Sequence, residues 1–327
     1  KQQPMQHTTF SKRVRLLRLM LLLCFLVQAA SPANQASADE MHTILLPLIF
    51  KQAAPTSIPP ITPPEQLALD RINAYRALAG VPALELHPAL LAAAQHHAAY
   101  DLLNYGNQAA WIYGPHGEVS GKPGFTGQMP GDRATTASYP WAAGWEVMDY
   151  FDDPLRAVDG LMATVFHRVN ILTPTHAYAG YGHGRSVAEM VDVIDFGAGS
   201  TNLVGAPDVA VFPANNQSDV PLYGASETPS PLPQGASYPV GYPITLQPTF
   251  GAALTVTQAE LRDGNGAAIA VYPNPPDCGT GCYALIPTAG LKPATTYSVH
   301  VAGSVDSTPF QKTWSFTTTA CQTTGFC

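Results

Sequence analysis

The sequence predicts an α+β protein whose first half carries the helices and whose second half is all β. Between residues 67 and 103, apolar side chains recur every three or four positions, which is the spacing of one helix face. Between residues 207 and 320, seven short runs typical of strands alternate with turns, and Asp263-Gly264-Asn265-Gly266 is a strong hairpin signal. Seven such runs predict a β-sandwich.

The helices of the first half are predicted from their apolar faces and their ends. The first face runs from Leu67 to Ala79, and Gly80 is a suitable C-terminal stop. The second helix begins at Pro88, which suits a first turn, and ends near Leu103. Further helices are predicted over 145–151 and 155–166, after a Gly- and Pro-rich loop over 104–140, and strands over 177–184 and 190–196.

The strands of the second half are predicted from runs rich in β-branched and aromatic residues. They are Val209–Phe212, Tyr242–Gln247, Leu254–Arg262, Ala268–Tyr272, Tyr283–Pro287, Thr296–Val301 and Thr313–Thr318.

The N-terminus has the pattern of an export signal. Four basic residues between Lys12 and Arg18 precede the apolar run Leu19–Val27, which is too short to span a membrane. Ala36-Ser37-Ala38 then offers a small-x-small cleavage site. We therefore expect a signal peptide over 1–38, a secreted or cell-surface protein, and no transmembrane helix in the mature chain.

Cleavage after Ala38 would leave an acidic protein. The mature chain would carry 11 Lys and Arg residues against 23 Asp and Glu residues, a net charge of −12. Such a charge repels the phosphates of nucleic acids and anionic lipids, so we expect no nucleic-acid partner.

Four cysteines would remain in the mature chain, all of them near its C-terminal end. Export favours disulfides, and the spacing favours the local pairs Cys278–Cys282 and Cys321–Cys327, although three connectivities are possible. A zinc knuckle built on Cys278 and Cys282 together with the tail cysteines is the alternative.

Composition divides the chain into four segments. The signal peptide over 1–38 is followed by a linker over 39–64, which carries five prolines between residues 54 and 64. A first domain is expected over 65–203. A second, all-β domain with a cysteine-containing tail is expected over 204–327.

The residues that can carry chemistry lie in the first domain. His116 follows a Gly-Pro pair on the predicted loop, Glu146 lies in Gly144-Trp145-Glu146, and His167 begins His167-Arg168-Val169-Asn170-Ile171-Leu172. Imidazole and carboxylate groups brought together in a cleft can bind a divalent metal ion, act as an acid–base pair, or form a hydrogen-bonded network that only orders loops. The buried stripe of the second helix includes His97, for which we expect a hydrogen-bonded core position, and Asp132-Arg133 is expected to form a local ion pair that holds the loop.

The order of these motifs resembles the CAP superfamily, also called the SCP/PR-1-like family. The resemblance begins at Leu69-Asp70-Arg71-Ile72-Asn73-Ala74-Tyr75-Arg76, passes through His97, His116, Glu146 and His167, and closes at Gly180-Tyr181-Gly182. It implies a three-layer α-β-α sandwich with a central cleft lined by His116, Glu146 and His167. Some relatives bind a divalent metal ion there, which makes Zn²⁺ or another divalent cation the implied cofactor.

This chain departs from the family pattern at the acidic positions. The usual Gly-Glu-Asn is replaced by Gly144-Trp145-Glu146-Val147, and the second acidic residue of the cleft has no clear match. Glu118, Asp149 and Asp159 are the candidates for it.

The second domain resembles fibronectin type III and other bacterial Ig-like domains. The resemblance rests on Leu291-Lys292-Pro293-Ala294-Thr295-Thr296-Tyr297, with Tyr297 as the corner tyrosine whose hydroxyl bonds to backbone upstream. This domain is expected to be a spacer or adhesion module.

Three functions remain open at this point. The absence of G-x-S-x-G and H-E-x-x-H motifs favours a non-enzymatic extracellular protein that binds another protein, a glycan or a lipid. The alternatives are a metal-dependent hydrolase of peptides, glycans or phosphodiesters, with Glu146 as ligand or base, and a carrier of a sterol or fatty acid.

Overall fold

A computed structural model describes residues 61–187, 189–199, 207–248 and 252–321, all within the second of the chain's two compact units, Gln52–Cys327. The predicted signal peptide and almost all of the predicted linker lie outside these described residues. Within them, no helix is both long enough and apolar enough to cross a bilayer.

The first half folds into five α-helices, one short 3-10 helix (Gln108–Ala110) and one sheet within the described residues. The sheet is four-stranded in the order β1-β3-β4-β2, and only the β1–β3 pair is parallel. The elements are α1 (Pro63–Ala79), β1 (Glu85–Leu86), α2 (Pro88–Leu103), α3 (Pro130–Thr136), β2 (Ala143–Asp149), α4 (Pro154–Met162), α5 (Phe166–Ile171), β3 (His176–Arg185) and β4 (Met190–Ala198).

The first two helices end where the sequence predicts, and α2 also begins there, whereas α1 begins at Pro63, four residues before the predicted Leu67 and inside the predicted linker. In α1 the carboxylate of Glu65 accepts a hydrogen bond from the backbone N–H of Thr62, and Gly80 adopts the left-handed conformation (φ 73°) that ends the helix. In α2 Pro88 occupies the first turn, and the ring of His87 accepts a hydrogen bond from the N–H of Ala89.

The pleat of the sheet sorts its side chains into two faces, and this makes the three-layer α-β-α sandwich. On one face, Val147 and Ile194 belong to the core that α1 and α4 cover. On the other face, Met148 and Val193 pack with Ala94 of α2. The strand β3 presents Gly180 and Gly182 to α2, whose backbone passes too close for any Cβ at either position.

Three details of the predicted first half are wrong. Residues 145–151 are largely strand β2 and not helix, because this short apolar run pairs with β4 along most of its length. The predicted loop over 104–140 contains α3, which Pro130 begins. The predicted helix over 155–166 ends at Met162, and α5 begins only at Phe166.

The second half is all β, as predicted. Its described strands form two four-stranded sheets, in the orders β5-β7-β10-β9 and β6-β12-β11-β8. The strands are β5 (Val209–Phe212), β6 (Gln217–Val220), β7 (Ile244–Pro248), β8 (Leu254–Asp263), β9 (Val271–Tyr272), β10 (Tyr283–Pro287), β11 (Thr296–Val305) and β12 (Thr308–Thr318).

The expected hydrogen bond of Tyr297 is present in this β region. Its side chain is buried, and its hydroxyl accepts a hydrogen bond from the backbone N–H of Lys292 at 2.8 Å. Cys278 and Cys282 form a disulfide, as predicted, with their Cα atoms 4.8 Å apart. Cys327 lies outside the described residues, so the Cys321–Cys327 pair stays a prediction.

One hydrophobic cluster runs through both halves of the described chain. It contains Ile72 and Leu161 from the first half and Phe212, Ile244 and Val299 from the second. The predicted domain boundary between residues 203 and 204 falls within residues 200–206, which are outside the described ranges.

Candidate functional site

The centre of the site is Glu146, which β2 places on the face of the sheet that α2 covers. Its Oε1 lies 2.8 Å from Nδ1 of His116, and its Oε2 accepts a hydrogen bond from Nη2 of Arg133 at 2.5 Å. The Glu146 side chain is 1% exposed, whereas that of His116 is 34% exposed. His116 therefore stands at the rim of a charge network that is otherwise buried.

A second pair, His97 and Glu118, lies directly beneath this rim. Both side chains are fully buried, and Nδ1 of His97 is 3.0 Å from Oε1 of Glu118. Nε2 of His97 is 2.9 Å from the carbonyl oxygen of Pro115, which can only accept a hydrogen bond. Since both ring nitrogens face acceptors, His97 is a buried imidazolium. Burial lowers the pKa of His97, but Glu146 and Glu118 outweigh burial and raise it overall.

The network is balanced in charge. His97 and Arg133 supply two positive charges, and Glu118 and Glu146 supply two negative charges. Burial alone would raise the pKa of Glu146, but His97, His116 and Arg133 together lower it to about 2. Buried charges are tolerated when each has a partner, and here every one does.

The same network holds the loop over 104–129 in place. Glu118 accepts hydrogen bonds from the backbone N–H groups of Thr126, at 2.6 Å, and Gly127, at 3.3 Å. Arg133 donates through Nη1 to the carbonyl of His116 at 3.1 Å. The loop is thus fastened from beneath at both its middle and its end.

Two further buried acids lie beside the network. Burial raises the pKa of Asp101 to about 7, with smaller effects of the surrounding charges. Asp195 pairs in register with Glu146 across β4 and β2, and its pKa is raised well above the ordinary value by burial and then by Glu146.

His167 does not join this group. It lies on α5, where its Nδ1 is 3.1 Å from Oε2 of Glu227 and 3.1 Å from the hydroxyl of Thr164. Helix α5 packs with α4, on the opposite side of the sheet from His97 and Glu118. The predicted cleft of His116, Glu146 and His167 is therefore split: the structure brings His116 and Glu146 together and pairs His167 with Glu227.

The weaker acidic candidates have separate positions. Glu118 joins the network, as described. Burial raises the pKa of Asp149 to about 6, and Asp149 faces α4 rather than Glu146 because three positions along a strand change the face. Asp159 accepts hydrogen bonds from Arg71, at 2.6 Å, and from the hydroxyl of Tyr75, at 2.7 Å, which ties α4 to α1.

The expected local ion pair of Asp132 with Arg133 is wrong. Asp132 instead accepts a hydrogen bond from the N–H of Met129 at 3.0 Å and caps α3. This leaves Arg133 free to turn inward, where its guanidinium reaches Glu146 and Glu118.

The residues of the site do not fit the zinc ion that the sequence led us to expect. Both oxygens of Glu146 already have partners, one of them the permanent cation Arg133. Among the described residues, no group of three or more His, Cys, Asp or Glu side chains could hold a metal ion. A divalent cation at Glu146 would have to displace the guanidinium.

Sequence reasoning missed the role of two residues. His97 was expected in the core, which is correct, but nothing in the sequence around it indicated that Glu118, on the loop about twenty residues later, is its partner. Glu227 lies in Gly224-Ala225-Ser226-Glu227-Thr228-Pro229, a turn-like segment with no motif that would connect it to His167.

Comparison with known proteins supplies a family for the first half of the chain. The model of the cysteine-rich secretory protein family, CAP, matches residues 69–191. Among solved structures, the chain is similar to venom allergen-like protein 4 of Schistosoma mansoni, with 8% identity and a TM-score of 0.29, over 43% of this chain and 92% of that one. A likeness this distant supports no functional argument, and no curated protein matches the chain. The family match and the three-layer sandwich agree, and residues 69–191 are a CAP domain.

Proposed function

We propose that this chain is an exported, non-enzymatic binding protein whose CAP domain recognises another extracellular protein through the loop that the buried network holds. The observation that carries this proposal is a set of large apolar side chains exposed on that loop and at the adjoining end of α2. They are Leu103, Tyr105, Ile112, Tyr113, Phe125 and Met129, between 37% and 64% exposed.

The composition of this surface, which we call the 103–129 surface, is that of a protein interface. Aromatic residues and methionine are enriched at the cores of such interfaces, and charged residues are depleted. Here Lys122 is the only Lys or Arg between residues 103 and 129, and the one acidic residue, Glu118, is buried. Exposed apolar side chains gathered in one segment are a common mark of an interaction site.

The rigidity of the loop supports the same function. A loop that is ordered before binding loses less conformational entropy when it binds. The imidazolium of His97 and the guanidinium of Arg133 hold this loop through Glu118 and through the carbonyl of His116. The network thus has a role that requires neither turnover nor a metal ion.

The net charge and the expected processing of the chain support an extracellular protein partner. The net charge of −12 expected after cleavage opposes binding to nucleic acids or anionic membranes. The signal-like N-terminus and the Cys278–Cys282 disulfide support export into an oxidising compartment.

The experiment is a pull-down in which three forms of the full chain are immobilised and exposed to the extracellular proteins that surround the cell producing this chain. The test variant is Ile112→Lys combined with Tyr113→Ser, which places a charge in the middle of the 103–129 surface. The control is Leu155→Lys, on an apolar residue of α4 that is 39% exposed. A protein retained by the wild type and the control, and released by the double variant, supports the proposal. Equal retention by all three forms would contradict it, as would retention of a glycan or a sterol in place of a protein.

Zinc titration calorimetry tests the competing hypothesis of a metal-dependent hydrolase. The wild type is compared with His116→Ala/His167→Ala. We expect no saturable zinc binding at this site, because Arg133 already neutralises Glu146. If the wild type binds zinc saturably and the double variant does not, the site is a metal centre and not an internal ion pair, and the hydrolase hypothesis is supported again.

A further inference from the structure

Glu227 comes from outside the CAP domain, yet its carboxylate is buried at the start of α5. It accepts hydrogen bonds from the backbone N–H of Val165, at 2.7 Å, of Phe166, at 3.0 Å, and of His167, at 3.3 Å. The Glu227 side chain is only 1% exposed. The first N–H groups of a helix have no partner within the helix, and here a residue some sixty positions later supplies that partner.

The same carboxylate fixes the proton on the ring of His167. Nδ1 of His167 lies 3.1 Å from Glu227 Oε2 and 3.1 Å from Thr164 Oγ1. The hydroxyl of Thr164 donates its own proton to the carbonyl of Leu161 at 2.7 Å, so toward His167 it can only accept. Two acceptors at one ring nitrogen require that Nδ1 carry the proton. The other nitrogen, Nε2, has no hydrogen-bond partner among the described residues and keeps its lone pair in the neutral ring.

The region around Glu227 holds the rest of the α4–α5 corner as well. Arg168 donates to the carbonyl of Pro243, and its guanidinium lies 4.5 Å from the ring centroid of Tyr242. The hydroxyl of Tyr242 donates to the carbonyl of Met162 at 3.0 Å, and Gln247 donates through Nε2 to the carbonyl of Val169 at 3.1 Å. The carbonyls of Met162 and Val169 in this corner are therefore hydrogen-bonded from the β region, whereas Nη2 of Arg168 and Oε1 of Gln247 are buried without a hydrogen-bond partner among the described residues.

We propose that the β-sandwich half supplies a positioning residue to the CAP domain: Glu227 fixes α5 and holds His167 as the Nδ1–H tautomer, which presents Nε2 as a hydrogen-bond acceptor for a hydroxyl or amide donor. The acidic partner of His167 thus comes from the second half of the chain. This arrangement stands independently of what the 103–129 surface binds, since it concerns the opposite side of the sheet.

The position of α5 matters beyond His167. Phe166, Val169 and Asn170 of this helix form one wall of a cavity of about 420 Å³, with Trp145 and the Cys278–Cys282 loop on the other walls. A shift of α5 after loss of Glu227 would reshape this cavity as well as release the imidazole.

The test is nitrogen NMR of the histidine rings in the full chain, at about pH 8 where an ordinary imidazole is neutral. The His167 signals are assigned by comparison with His167→Gln. In the wild type we expect Nδ1 protonated and Nε2 bare. In Glu227→Ala we expect the mixture of tautomers of an unconstrained ring, and amide hydrogen exchange at residues 165–167 about tenfold faster, the usual consequence of losing a helix cap. Glu227→Gln keeps an acceptor oxygen and should restore both signals in large part.

The matched control is Glu260→Ala, which removes an exposed carboxylate of the same β region whose ion-pair partner among the described residues is Arg262. It should leave the His167 ring and the exchange at 165–167 unchanged. A wild-type His167 protonated on Nε2 would overturn the proposal. So would a Glu227→Ala protein that loses stability while its His167 tautomer stays the same, because Glu227 would then be structural only. If Glu227→Ala does not fold, the wild-type spectrum and Glu227→Gln decide the matter.

Discussion

At the scale of single residues, Glu146 illustrates how a charge is kept in the interior. Burial opposes ionisation, yet His97, His116 and Arg133 around Glu146 lower its pKa to about 2. A carboxylate with a depressed pKa stabilises the folded state above its ordinary pKa, and this stabilisation is lost as the pH falls toward 2. The stability of the site therefore depends on each of its cations being in place.

Removal of Arg133 should expose this dependence. Arg133→Ala leaves Glu146 buried with one oxygen unpaired, and the free energy of unfolding should fall by about 3 to 5 kcal/mol. Urea denaturation at pH 7 measures the loss. Arg156→Ala is the control, because the Arg156–Asp152 pair is more than half exposed on both sides and should contribute about 0 to 1 kcal/mol. Equal losses in the two variants would contradict the buried network.

The contribution of Asp101 to stability should depend on pH in the opposite sense to that of Glu146. Burial raises its pKa to about 7, so the folded state holds a proton that the unfolded state releases near pH 4. The wild type is therefore penalised as the pH rises from about 4 through 7, whereas Asp101→Asn, which cannot ionise, escapes the penalty. Urea denaturation measures the free energy of unfolding of both proteins at pH 4 and pH 8. The wild type and Asp101→Asn should be similarly stable at pH 4, and Asp101→Asn should be about 1 to 3 kcal/mol more stable at pH 8. A difference that does not change with pH would assign the effect to packing.

At the scale of secondary structure, β2 decides which candidates can act together. Read as a helix, residues 145–151 would place Glu146 and Asp149 on one face, since three positions are nearly one helical turn. As a strand, the same three positions direct the two side chains to opposite faces. The predicted cleft of His116, Glu146 and His167 was implied by the family resemblance, and the strand β2 removes Asp149 from the candidates for its second acid.

The success of the other element predictions follows from local chemistry. Gly80, Pro88 and the turn after Asp263 act through backbone conformation, which depends on neighbouring residues alone. The hydrogen bond of Tyr297 could also be expected, since its acceptor and donor are five positions apart. Glu227 and Arg133 could not be placed, because their partners are set by the packing of distant segments.

The contact of α2 with β3 gives a prediction at this scale. A Cβ at position 182 would overlap the backbone of Ala94, so Gly182→Ala should push α2 off the sheet and cost about 3 kcal/mol, the upper end of the usual cost of overpacking. Gly131→Ala in α3 is the control, because its Cβ would lie 3.4 Å from the nearest atom, the carbonyl oxygen of Ala143, and alanine favours a helix. Thermal unfolding followed by circular dichroism compares the two. A Gly182→Ala protein as stable as the control would mean that helix and strand are not in backbone contact.

At the scale of the whole described chain, the two halves share a core. The ring centroid of Tyr75 in α1 lies 5.7 Å from that of Phe212 in β5, in an edge-to-face contact. Arg168 is fully buried between the halves and finds one acceptor in each, the carbonyls of Met162 and Pro243. A module that was only a spacer would not need to satisfy a buried guanidinium of its neighbour.

The two halves should therefore unfold together. A chain shortened to residues 65–203 would uncover the apolar side chains that now face β5 and β7, and it would leave Arg168 and the start of α5 without their partners. Buried groups left unpaired each cost about 1 to 3 kcal/mol, and a domain has only about 5 to 15 kcal/mol to lose. We expect one cooperative transition for the full chain, with near- and far-ultraviolet circular dichroism coinciding, and no cooperative transition for the shortened chain. The expectation is contradicted if the full chain shows two separate transitions, or if the shortened chain melts at an unchanged temperature. Either result would mean that the CAP domain is stable without the β-sandwich, and that Glu227 binds to a helix α5 that is already formed.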